Sequence, residues 1–230
     1  MPLIDVADLR AEIESEREWR EGEMRLFRNQ IAALDDEEKR RIGRKGLVVM
    51  LYSHFEGATK AIISMYVNRL NTLGLRVEEV APSIGAASLE EIFLALRDPF
   101  KKCKEFARLL PDDTALHRFA REREFVEVAW QIAQRAVRID ADSVVDTESN
   151  LKPVVLKKIL YRVGLDPQLA EPWAGVINQL LNRRNAVAHG SERGGLDGRD
   201  YARLEQAVNL VMDELVKAVT DAVARETFLL

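Results

Sequence analysis

A chain of 230 residues and 26.1 kDa, with 47% hydrophobic and 31% charged residues, can bury a real core in one large or two small domains, which excludes a disordered or fibrous protein. Its 34 Lys and Arg against 38 Asp and Glu give a net charge of −4, so nucleic-acid contact has to rest on a local basic patch rather than on overall charge. The single Cys103 cannot form an intramolecular disulfide, Met1 to Leu34 lacks the order of a signal peptide, and the longest apolar run, Leu47 to Tyr52, is too short to span a membrane. A reducing cytoplasm is the expected location.

Apolar residues recur at spacings of three and four throughout, with no sustained two-residue alternation, and this predicts an all-α protein. The first helix, Leu9 to Leu34, is rich in Arg and Glu; its clearest stripe is Met24, Phe27, Ile31 and Leu34, and its start is expected to be half exposed. Residues 1–34 are therefore set apart as a polar N-terminal helix from a helical domain over 35–230, with one continuous domain as the alternative. Asp35 with Glu38 suggests a capping box, and Leu51, Phe55, Ala58, Ile62 and Met65 mark a core helix ending near Gly74. Leu75 to Ala87 reads as a loop, and Ser88 with Glu91 as the start of a further helix that Pro99 interrupts.

Leu116, Phe119, Phe125, Val128 and Ile132 predict another amphipathic helix, followed by Asp140 to Thr147, the best candidate hinge. Asn150 is read as capping a helix whose first turn holds Pro153. Pro172 opens the run Trp173 to His189, which Gly190 terminates. Asp197 then precedes a last helix carrying Leu204, Val208, Val211, Met212, Leu215 and Val219.

The densest polar feature is Asn182 to Gly190. On a helix Asn185 and His189 share a face, while Arg184 and His189 diverge by about 140°. A long Arg stem and a loosened last turn before Gly190 would still let both heads reach one groove. On spacing alone, the ordinary alternative is that Arg183 and Arg184 are solvated and His189 caps the last carbonyls.

Arg184 to His189 matches the R-x-x-x-x-H signature of HEPN proteins, with a polar residue after the Arg. Leu51-Tyr52-Ser53-His54-Phe55-Glu56-Gly57 and Thr147-Glu148-Ser149-Asn150-Leu151-Lys152-Pro153 add to this, and together the segments resemble the RiboL-PSP-HEPN branch over most of Leu47 to Ala218. The resemblance implies a HEPN-type helical bundle, here with an additional N-terminal helix, that commonly dimerises. In active members it implies a metal-independent endoribonuclease without a cofactor, often a toxin or antiphage effector held by an antitoxin protein. Other HEPN relatives are non-catalytic modules that bind RNA or a protein partner. Carried onto this sequence, His189 would move protons, Arg184 would stabilise phosphate charge and Asn185 would position one or the other. A symmetric homodimer would put two His189 groups in one cleft.

Secondary candidates are His54 and Glu56, for which a bundle-edge hydrogen bond and a Glu56–Lys60 ion pair are the structural alternatives. Arg183 and Arg193 are candidate RNA contacts, the latter within a glycine-containing stretch that reads either as a flexible RNA loop or as a turn. His117 lacks a motif and is expected at the surface or in helix packing. Trp19, Trp130 and Trp173 are expected to pack between helices. No metal-ligand spacing, phosphate loop or nucleophile elbow is present in the sequence, which disfavours metal catalysis, ATPase and serine-hydrolase readings.

Overall fold

The side chain of Asp5 accepts hydrogen bonds from the backbone N–H groups of Ala7 and Asp8 and so fixes the start of helix α1 (Val6–Ala32) in this computed structural model, which describes residues 3–230. Asp36 does the same for α2 (Glu37–Thr72) by accepting from Glu38 N at 2.9 Å. The cap thus lies one residue beyond Asp35, whose carboxylate instead pairs with Lys39 at 3.0 Å. Helix α2 is the axis of the fold. From Leu47 to Leu70 it buries Leu47, Val48, Leu51, Tyr52, Phe55, Ala58, Ile62, Ile63, Tyr66, Val67 and Leu70, a set too broad for one stripe and suited to a helix covered on several sides.

Helices α1, α8 (Ala174–Ala188) and α9 (Gly198–Ala224) pack on α2, and α9 also packs on α1 and α8. The expected stripe of α9 is buried in full, from Leu204 to Val219, and Asp197 caps that helix by accepting from Asp200 N at 2.8 Å. In α1 the anchors are Leu9 and Ile13, both fully buried, so the start of this polar helix is half exposed as expected, with one side pinned into the shared core and the other in solvent. Phe27, expected on its buried stripe, is 41% exposed.

Short elements close the ends. A 3-10 turn at Val77–Glu79 and α3 (Pro82–Ser88) occupy the segment read as a loop. Ser88 ends α3 and accepts a hydrogen bond from Arg138 N; α4 (Glu90–Arg97) begins without a side-chain cap. After α5 (Thr114–Ala129), the expected hinge contains α6 (Ala141–Val144), with Val144, Val145 and Thr147 buried, so it is a fixed part of the core and no hinge. Helix α7 (Pro153–Arg162) follows, and its N-cap is Lys152, not Asn150. Among the described residues there are nine α-helices and no strands, only isolated bridges between Arg76 and Ala136 and between Val80 and Leu229. No helix of the described residues is long and apolar enough to cross a membrane.

Helices α4 and α5 lean on each other in an arm with few buried residues of its own, His117 being the one buried side chain of α5. His117 Nδ1 accepts from Cys103 N at 3.1 Å, which leaves Nε2 to donate to Pro111 O at 3.3 Å. It is therefore the staple of the segment between the two helices. His117→Ala should loosen this arm without unfolding the bundle. Hydrogen exchange should rise across 98–113 and stay unchanged in α2 and α9; equal protection in that segment would remove the staple role.

Candidate functional site

Tyr52 and Glu56 lie one turn apart on α2 and face the segment between α6 and α7. Two non-glycine residues of that segment, Glu148 (φ 52°) and Ser149 (φ 62°), adopt the left-handed conformation, which persists only where surrounding contacts impose it. Those contacts are present. The Tyr52 hydroxyl accepts from Leu151 N at 2.6 Å, the Thr147 hydroxyl donates to Glu56, Asn150 N donates to Thr147 O at 2.9 Å, and Lys158 Nζ donates to Glu148 at 2.6 Å.

The result is to present Asn150 to α8. Arg184 Nη2 donates to Asn150 Oδ1 at 2.9 Å, Nη1 donates to Asn185 Oδ1 at 2.9 Å, and the guanidinium carbon lies 4.1 Å from the centre of the Tyr52 ring. A planar cation is thus stacked on one face and held at two nitrogens, while a guanidinium has five N–H donors in all, leaving three for an anion. Burial, then the nearby Glu56 charge, pushes the Tyr52 phenol above its ordinary range, so it stays protonated beneath Arg184.

The three segments singled out in the sequence therefore meet: Tyr52 and Glu56 from the first, Thr147 and Asn150 from the second, Arg184 and Asn185 from the third. The roles of Tyr52 and Asn150 were missed by reading the sequence for titratable groups. The left-handed pair that aims Asn150 leaves no glycine as a signal, and Asn150 itself resembles an ordinary cap.

His189 is the C-cap of α8 and is exposed; its N–H bonds to Asn185 O at 2.9 Å, and Gly190 (φ 72°) ends the helix. Asn185 spends its carbonyl oxygen on Arg184 and not on the His189 ring. Arg183 is engaged by Asp200 at 3.3 Å and Glu192 at 3.6 Å, whereas Arg193 is exposed in the following loop. That loop is anchored rather than flexible: Leu196 N donates to Arg41 O at 3.1 Å, Leu196 is buried, and Lys45 Nζ donates to Glu192 O at 2.6 Å.

His54 points away from Arg184, toward α1, because two residues along a helix reverse direction. Its ring meets Trp19 edge-on at 5.5 Å, and Nδ1 lies 3.3 Å from Arg20 Nη1. Glu23 is 3.3 Å from Nε2 but off the hydrogen-bonding axis, so that buried nitrogen has no partner. Burial first and the Arg20 charge second lower its pKa, against the pull of Glu23. The unfolded chain then binds a proton more readily than the folded one, so this residue makes stability fall as pH drops through about 6.5 toward the lower folded value. Thermal unfolding followed between about pH 7.5 and 5.5 should show a decline that His54→Gln flattens; parallel curves would refute the linkage. Glu56 bonds Thr147 and makes no ion pair with Lys60.

Among the described residues, no three His, Cys, Asp or Glu side chains converge in a way that could hold a metal ion. A cleft of about 270 Å³ lies between α1, α2 and α9, away from Arg184, and its arginines are paired: Arg17 with Asp213, Arg20 with Glu16 and Arg28 with Glu205.

The all-α bundle is the fold class that the resemblance in the sequence implied. The family model described as HEPN_MAE_28990-like HEPN matches residues 9–228. The chain belongs to the HEPN superfamily, and the match includes α1 as well as the motif helix. No curated protein and no solved structure shows a significant match to the chain.

Proposed function

We propose that the protein is a metal-independent endoribonuclease that cleaves RNA by attack of a ribose 2′-hydroxyl on the adjacent phosphate, acting as a toxin or antiphage effector. The observation that carries this reading is the preorganised Arg184, stacked on Tyr52 and forked between Asn150 and Asn185 with donors to spare. Such a fixed planar cation is matched to a phosphate whose charge grows as the pentacoordinate state forms, and it needs no reorganisation during the reaction.

His189 is the proton-transfer group. It takes the proton of the 2′-hydroxyl, or gives one to the departing 5′-oxygen, and its exposure leaves it accessible to a strand crossing the end of α8. The products are a 2′,3′-cyclic phosphate and a 5′-hydroxyl. A second copy contributing its own His189 supplies the complementary role, and an antitoxin protein would act by covering this end of the helix. The supported general class also includes RNA-binding modules without cleavage, and the fork serves that reading equally well because it binds a phosphate before any bond breaks.

The test is cleavage of RNA in EDTA with analysis of product ends. Cyclic phosphate ends, lost in His189→Ala and in Arg184→Ala, support the enzyme; tight RNA binding with no His189-dependent cleavage assigns the module instead. Asn150→Ala should retain the fold yet lower single-turnover cleavage by about tenfold with a smaller change in RNA affinity, because Arg184 loses one of its two holding contacts. Asn150→Asp, which keeps the acceptor, should recover part of the rate; no difference between the two variants would deny Asn150 a positioning role.

A further inference from the structure

Helix α5 has an inner and an outer face. At about 100° per residue, His117, Arg121, Phe125 and Val128 fall on the side turned toward α4 and the segment before α5, whereas Phe119, Val126 and Trp130 lie within about 40° of one another on the opposite side. Those three are 62%, 49% and 84% exposed. They form an aromatic–aliphatic–aromatic row about 16 Å long on a 16-residue helix. Single exposed apolar residues are ordinary, but three sharing one face of a helix, with the charged Glu122 and Arg123 between Phe119 and Val126, offer a contact surface. Trp130, expected to pack within the molecule, is thus presented outward. By contrast, no large apolar side chain of the motif helix α8 is strongly exposed among the described residues.

The charges bordering the row identify its occupant. From Thr114 to Trp130 three arginines (Arg118, Arg121, Arg123) balance three glutamates (Glu122, Glu124, Glu127), so the helix offers no net attraction to a polyanion. Along one border Arg123 precedes Glu127, and the two pair within the helix at 3.4 Å in the open. A two-fold axis near residues 124 and 125, with the helices antiparallel, sets Phe119 against the partner's Trp130 and Trp130 against the partner's Phe119. The same axis, within one residue of register, sets Arg123 against the partner's Glu127 and Glu127 against the partner's Arg123, with Val126 beside the axis. The two registers differ by one residue, a shift of about 1.5 Å that the long Arg and Glu side chains can span, so the apolar row and the charged border are compatible with one self-complementary contact.

We propose that the outer face of α5 is a self-association interface, on which a second copy of this chain lays its own α5 antiparallel through Phe119, Val126, Trp130 and the Arg123–Glu127 border. This contact is separate from the end of α8 and does not depend on the proposed ribonuclease activity. If copies also meet at His189, the two contacts together build assemblies larger than a dimer.

Sedimentation equilibrium of the full chain at micromolar concentrations tests it. The wild type should associate, and Val126→Glu should weaken that association at least about tenfold while helicity is retained, because Val126 is 49% exposed and belongs to no buried core. Arg123→Glu and Glu127→Arg should each weaken it, and the double exchange should restore it. In a Cys103→Ser background, Val126→Cys should form a disulfide-linked dimer on mild oxidation, whereas Cys103→Ser alone should not. A wild-type mass above a dimer that falls to a dimer in Val126→Glu also supports the contact. A monomeric wild type, unchanged association in Val126→Glu, or loss of RNA affinity with unchanged mass in that variant would each overturn it, the last by making the face an RNA surface.

Discussion

Replacing His189 by Ala should reduce single-turnover RNA cleavage by about 100-fold or more while leaving RNA affinity within a small factor of wild type. The expectation follows from the position of the ring. It is exposed at the end of α8, so its removal takes away the proposed proton-transfer group at little packing cost. Arg184→Lys makes a sharper comparison. Lysine keeps the charge but loses the fork that spans Asn150 and Asn185 and the flat face that stacks on Tyr52. Cleavage should therefore fall well beyond binding, and Asn185→Ala should retain partial activity because Asn150 still holds one nitrogen. Equal cleavage by wild type and His189→Ala would sink the catalytic assignment. Parallel loss of binding and cleavage in Arg184→Lys would make Arg184 a retention group and favour the non-catalytic module.

Gly195→Ala should be the most damaging small substitution in the loop between α8 and α9, lowering stability by on the order of 3 kcal/mol. Two causes add. Gly195 has a φ of 69°, and a Cβ there would lie 2.4 Å from the carbonyl oxygen of Arg41, a rigid backbone atom in α2. The same carbonyl accepts from Leu196 N, so the loop cannot retreat without surrendering that bond and exposing buried Leu196. For a chain of this size the melting temperature should drop by roughly 6–12 °C. Gly194→Ala is the control, because its Cβ would meet nothing closer than the flexible Glu192 carboxylate at 3.8 Å. Similar melting temperatures for the two variants would show that the loop yields, and that Arg193 rides on a mobile segment after all.

The sequence by itself determined the helical class, the long central and C-terminal helices and the motif at the end of α8, because these depend on local periodicity and on end signals such as Asp197 and Gly190. It determined less well what a polar helix buries: in α1, Leu9 and Ile13 lie outside the most regular stripe yet are its deepest anchors. In α5 the apolar positions Phe119 and Phe125 were read as one face, but a helix sets them about 120° apart, and only packing against α4 decided which faced inward. The site followed the same division. Arg184, Asn185 and His189 were legible as a local string, whereas the separation of His54 from Glu56 and the recruitment of Tyr52 and Asn150 required the tertiary structure. Tyr52, Asn150 and Arg184 are joined by contacts spanning 34 residues or more, through a loop held in a left-handed conformation by a phenol and a carboxylate on another helix. No local pattern encodes such a contact, because the free energy that holds the strained loop comes from the elements packed against it.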